Sequence, residues 1–172
     1  IILFIITDKV LFPIQENFFG TESILTGALL FLPHGVRVIS TVVYGLRSLP
    51  PLLCAHFIIG LFYLDILGFN VTIVLTFVSS LCVWLAIFII FQSKNGLSLN
   101  KIIFKNIILI TIISSLINSF GNDIVKHLFF HTDHSYFLHK EFLFYLVGDF
   151  LGTILLFFIY IKFLKNYLLK FI

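Results

Sequence analysis

The stretch VTIVLTFVSSLCVWLAIFIIF, residues 71–91, holds no charged side chain. A helix needs about 20 mostly apolar residues to cross the hydrocarbon of a bilayer. Open sheet edges are not tolerated there, so a run of this length means a helix. The whole chain has the same character. Hydrophobic residues make up 60% and charged residues 11%, against roughly 25% charged in a soluble domain. So little charge could not cover the surface of a water-soluble protein. The 23 phenylalanines add apolar bulk without hydrogen-bonding capacity, which suits a lipid-facing surface.

Working outward, the sequence predicts an all-α, polytopic transmembrane bundle forming a single domain. Five spans are expected, at about 24–45, 51–67, 71–91, 102–119 and 142–163. Residues 1–14 are too short for a span and are interrupted by Asp8, Lys9 and Pro13. They read as the end of an earlier membrane helix or as an interfacial segment. The absence of methionine suggests a chain that starts inside a longer reading frame. Pro50-Pro51 opens the second span, where a missing N–H costs nothing. Asn95-Gly96 marks a turn in the polar segment 92–100. The longest connection, 120–141, is expected to be a polar loop, part of it a short helix on the membrane surface.

Cys54 and Cys82 lie inside apolar runs and are not expected to form a disulfide. The net charge of +3 reflects topology rather than nucleic-acid binding. Arg47, Lys94, Lys101, Lys105 and the C-terminal lysines share one side of the bundle. Lys9, Lys126 and Lys140 lie on the other, together with Glu16, Glu22, Asp65, Asp123, Asp133 and Glu141. The positive-inside rule then makes the first side, with the C-terminus, cytoplasmic.

Polar residues at membrane depth are costly and usually face the bundle interior. Pro33, His34, Gly35 and Arg37 interrupt the first predicted span. One reading is a proline-kinked helix whose arginine snorkels to the headgroups. The other is a ligand or signal site beside a broken helix. In the fifth span, Gly148 and Gly152 make a small-xxx-small packing face beside Asp149. That carboxylate is satisfied by neighbouring hydroxyls or water, or it pairs with Arg37. His127, His131 and His134 share a face if their segment is helical; they form a candidate metal site or simply part of an interfacial loop. No glycine-rich phosphate loop, GxSxG element or nucleophile–base–orienter set stands in the sequence. A non-catalytic protein without a cofactor is therefore expected.

Residues 31–62, FLPHGVRVISTVVYGLRSLPPLLCAHFIIGLF, resemble the signature region of the MASE1 family of bacterial integral membrane sensory domains. Pro33, Gly35, Gly45, Arg47 and Pro51 carry the likeness, and Gly148, Asp149 and Gly152 match a later Gly-Asp-x-x-Gly element. The resemblance implies a multi-helix sensory or ligand-binding domain in a bacterial inner membrane. Its expected partners are the lipid bilayer and either a cytoplasmic signalling protein or other membrane helices, not nucleic acid. The chain is shorter than the family's domain and ends without a soluble output domain, which leaves signalling through an attached domain open. A small transporter component and a structural assembly protein are the alternatives.

Overall fold

The computed structural model describes residues 1–19, 28–91, 104–130 and 137–164. Among these, every regular element is helical: α1 (Ile2–Ile6), α2 (Phe12–Phe19), α3 (Leu32–Tyr44), α4 (Leu49–Leu61), α5 (Leu64–Leu67), α6 (Phe69–Phe91), α7 (Phe104–Phe130) and α8 (Phe137–Ile159). Four helical stretches are long and apolar enough to cross a membrane: Leu32–Leu61, Phe69–Phe91, Lys105–Phe129 and Phe142–Lys162. The protein is therefore an all-α bundle with the make-up of a multi-pass membrane protein.

Three long helices form the frame. Gly121 of α7 packs against Val78 of α6, and Ser79 and Asn118 are hydrogen-bonded. Asn118 in turn bonds Asp149 of α8. Along the chain α6, α7 and α8 alternate in direction. One half of the frame is sealed by an apolar cluster of Val38, Cys82, Val83, Ala86, Ile87 and Ile110, with Val42, Ile90 and Ile107 packed around it.

The first membrane-length stretch is not one straight helix. α3 and α4 have 13 residues each, about 20 Å of helix apiece. Between them Gly45 has φ 57°, a conformation that a residue with a Cβ adopts only at a cost. Ser48 fixes this corner by donating to the Gly45 carbonyl at 2.7 Å, with its Oγ 3.3 Å from the Thr41 hydroxyl. The sequence expectation put the Pro33–Arg37 interruption in the middle of a span beginning near residue 24. Instead α3 starts at Leu32, Pro33 lies in its first turn, and residues 28–31 are non-helical. The same proline that breaks a helix interior is at home in a first turn, where its absent N–H has no intrahelical partner.

The non-helical strap, 28–31, lies on α8. Phe31 N–H donates to the Gly148 carbonyl at 2.9 Å. A Cβ on Gly148 would fall on the Ala28 carbonyl, and one on Gly152 would strike the Phe31 backbone. These two glycines do form a close-packing face, but what packs there is extended backbone and the first turn of α3. Gly35 continues the contact, its missing Cβ 3.0 Å from Thr153 Cα and Leu156 Cβ. α3 thus runs parallel to α8, starting part-way along it.

Two further boundaries differ from expectation. Residues 2–19 are continuously helical rather than broken at Asp8, Lys9 and Pro13, with a π-helical turn over Thr7–Leu11. That wider turn relieves the clash between a proline ring and the carbonyl four residues earlier. The fourth span does not stop at residue 119; α7 continues to Phe130. Gly121 packs on Val78 of α6, and Asn122 is buried and bonded to Asn118 of its own helix, so their polarity marks an interior position rather than an exit from the membrane.

Candidate functional site: a buried polar cluster beneath a cavity

α3 brings His34 and Arg37 onto α6, α7 and α8 at a level where each long helix is near its middle. Ser79, Asn118 and Asp149 lie within about three residues of the centres of their membrane-length stretches. His34 and Asp149 are completely buried, and Arg37 is 1% exposed. Arg37 therefore does not snorkel to a headgroup layer. Its level is set by the start of α3 at Leu32, which places the arginine, sixth residue of the helix, opposite Asp149.

Asn118 is the hub. Its Nδ2 donates to Asp149 Oδ2 at 2.6 Å. Its Oδ1 accepts from Asn122 Nδ2 at 3.1 Å, Ser79 Oγ at 3.3 Å and Arg37 Nη1 at 3.4 Å. The stronger anchor of Arg37 is the Ser79 carbonyl, 2.7 Å from Nη1. Cys82 Sγ lies 3.8 Å from the same nitrogen, and the guanidinium stands 5.6 Å from the Phe31 ring centroid, within cation–π range. Arg37 Nη2 and Asp149 Oδ1 are 3.8 Å apart. This is an ion-pair separation but too long for a hydrogen bond. Arg37 Nε and Asp149 Oδ1 have no hydrogen-bond partner.

His34 lies between the carboxylate and α7, its Nδ1 near Asp149 but making no hydrogen bond. Its Nδ1 is 3.2 Å from Asp149 Oδ2 and its Nε2 is 2.9 Å from Ser114 Oγ. Ser114, His34 and Asp149 thus stand in the order of a nucleophile–base–acid relay, which nothing in their sequence spacing suggested. The Ser114 hydroxyl donates to the Thr111 carbonyl of its own helix at 3.1 Å. All three side chains are wholly buried, and none of them lines the cavity described next.

A half-open cavity of about 340 Å³ borders the cluster. Arg37, Asn118 and Ser79 line it at the cluster. Thr72, Thr76 and Asn122 carry it along α6 and α7 towards the end of the bundle that holds Tyr63, Leu67 and Asp8. Phe4, Thr7, Asp8 and Phe12 of the N-terminal helix form one wall, and Phe31 of the strap contributes as well. That wall is fixed by Tyr63 Oη donating to Asp8 Oδ1 at 2.7 Å and by edge-on contacts of Phe4 with Phe31 and Tyr63. Leu29 N–H donates to Gln15 Oε1 at 2.6 Å, tying the strap to α2. At this outer end Asp8 also meets Lys9 Nζ at 2.9 Å. Burial pushes the Asp8 carboxyl up, but hydrogen bonds from Lys9 and Tyr63 and the lysine charge outweigh it, so its pKa is lowered. The Tyr63 phenol is raised, by burial first and then by Asp8.

The structure brings Pro33, His34, Gly35, Arg37, Gly148, Asp149 and Gly152 into one region. His127 lies apart from them, in the last turn of α7, while His131 and His134 fall outside the described residues. Among the described residues no three His, Cys, Asp or Glu side chains are grouped so as to hold a metal ion. The sequence reading missed Ser79, Ser114, Asn118 and Asn122. A signal was available: Thr111, Ser114, Ser115, Asn118, Ser119 and Asn122 recur at three- and four-residue steps, one polar face of a helix, and all six are buried.

No protein-family profile, no curated protein and no solved structure matches this chain.

Proposed function

We propose that the chain is a non-catalytic membrane domain that binds a ligand in the cavity beside Arg37, of the kind used in bacterial signal sensing. The observation that carries this reading is a half-open cavity reaching a buried arginine between membrane-length helices. Burying a guanidinium in such surroundings is expensive, and a binding site gives it a role. The apolar cluster around Val83, Ala86 and Ile110 closes the opposite half, as expected of a pocket rather than a through-path. The resemblance to MASE1-type domains points the same way, and its two sequence elements lie against each other at Gly35 and Gly152.

In this proposal α3 and α4 count as separate short spans joined at Gly45, giving five passes. Arg47, Lys105 and Lys162 mark the cytoplasmic end of a bacterial inner-membrane protein. The cavity then opens outward, beside Asp8 and Tyr63. Ligand binding would be passed to a cytoplasmic partner or to other membrane helices.

A transporter would expose the two halves of the bundle in turn, and cysteine labelling separates the alternatives. In a background lacking Cys54 and Cys82, Thr76→Cys sits in the cavity wall and Ala86→Cys in the sealed half. A membrane-impermeant maleimide should label position 76 from the outside only and leave position 86 unlabelled under every condition. Labelling of position 86 from the cytoplasmic side in some conditions would favour transport.

A further inference from the structure

The donors and acceptors around the cavity specify the chemistry of what fills it, an inference that rests on the ligand-binding reading above. A guanidinium carries five N–H donors and no acceptor. In Arg37 only Nη1 meets close acceptors, at the Ser79 carbonyl and Asn118 Oδ1. Nε has no partner, and Nη2 has only the distant Asp149 oxygen at 3.8 Å. Nε has no exposed surface, so Arg37 meets the cavity as a cation, which favours an anionic group there, rather than as an open two-donor fork.

Asp149 does not close on Arg37, its nearest approach being 3.8 Å. Its Oδ2 is held by Asn118 Nδ2 at 2.6 Å and stands 3.2 Å from His34 Nδ1, while Arg37 is tied to α6 through Ser79. The other charge on the wall is Asp8, whose carboxylate is already met by Tyr63 and Lys9, so it sets no demand for an ammonium group. The remaining lining is largely aliphatic and aromatic, with Phe4, Phe12, Phe31 and Ile59 among it.

We infer that the cavity takes a monocarboxylate with an apolar body, its carboxylate facing the Arg37 guanidinium and its hydrocarbon against the phenylalanine-lined wall. Such a molecule is available either as a free acid dissolved in water or as a fatty acid resident in the bilayer.

The test uses the full chain in lipid nanodiscs, with empty nanodiscs measuring simple partition. Octanoate, 1-octanol and octylammonium share one tail and differ in head, and palmitate supplies the bilayer-resident arm. Calorimetric titration should show saturable octanoate binding, with octanol and octylammonium weaker by about ten-fold or more, the scale of a charge-assisted hydrogen bond. Palmitate binding tighter than octanoate places the source in the bilayer; the reverse order places it in water. Ile59→Trp fills the cavity without touching the polar cluster and should abolish octanoate binding while leaving the unliganded melting midpoint close to wild type. Arg37→Gln should lose the preference for octanoate over octanol.

Octanol binding as tightly as octanoate, with Ile59→Trp blocking both, overturns the carboxylate inference and leaves the ligand-binding proposal standing. Preferential binding of octylammonium overturns it equally. Failure of every probe to bind above partition overturns the inference.

Discussion

Replacing Arg37 and Asp149 singly and together measures what the buried cluster contributes. Arg37→Met removes the donors to the Ser79 carbonyl and Asn118 and leaves Asp149 in a fully buried site with no cation near it. Asp149→Leu removes the acceptor of Asn118 Nδ2 and the neighbour of His34, and leaves Arg37 uncompensated. Taking one partner from a buried pair costs about 3–5 kcal/mol, mostly through the charge left behind. The double variant leaves no orphan charge, so its cost should fall below the sum of the two by about 1–3 kcal/mol. The 3.8 Å separation and the bridging Asn118 favour the lower half of that range, because part of the coupling passes through an amide. Reversible unfolding in mixed detergent–lipid micelles, followed by far-ultraviolet circular dichroism, supplies the four free energies. Additivity within about 0.5 kcal/mol would refute the reasoning, since it would mean that the two charges do not sense one another.

Three other outcomes follow from the packing and the outer wall. Gly148→Ala sets a Cβ against the Ala28 carbonyl, where backbone rather than a flexible side chain must move; it should cost about 1–3 kcal/mol. Gly121→Ala, which meets only the side chain of Val78, should cost less in the same unfolding assay. Ile110→Ala in the sealed half should cost about 2–5 kcal/mol as a large-to-small change in a closed core, and a melting midpoint equal to wild type would show that this half is not packed as described. At the outer wall, the Asp8 carboxyl has a lowered pKa, so its contribution is present above the ordinary carboxylate range and fades as pH falls through the lowered value. The Tyr63 phenol is raised, so its contribution holds below the ordinary phenol range and fades as pH climbs through the raised value. Tyr63→Phe should remove the alkaline loss and shrink the acid one, read as melting midpoint against pH; unchanged limbs would count against the Asp8–Tyr63 contact.

The membrane-spanning character was legible because it depends on long apolar runs, which bilayer thickness converts directly into helices. The conspicuous members of the cluster were legible for the same reason: Arg37, His34 and Asp149 are expensive in lipid wherever they stand. The break before α3 was not. Residues 24–31 continue the apolar run, and Pro33 alone is compatible with a kink in a helix interior or with a first turn. What decides between them is the contact of the strap with Gly148 and Gly152, about 115 residues away, and no local pattern encodes it. Asn118 was overlooked because an asparagine followed by Ser119, Gly121, Asn122 and Asp123 resembles a helix leaving the membrane. Its burial depends on α6 and α8 supplying partners. The partial likeness to a Ser–His–Asp relay is likewise a product of tertiary packing, with members from three helices.

The central claim is that Arg37 is held inside the bundle at mid-depth, beside the cavity, rather than reaching the headgroups. The chain contains two arginines, Arg37 and Arg47, and Arg47 is largely exposed at the Gly45 corner. Nuclear magnetic resonance of the chain carrying ¹⁵N-arginine in nanodiscs observes both guanidinium groups, and Arg37→Lys assigns them. The account predicts one Nε–H, enclosed by protein, that exchanges slowly with water, and one that exchanges fast and is broadened by a water-soluble paramagnetic agent. Two fast-exchanging, equally broadened guanidinium signals would contradict it.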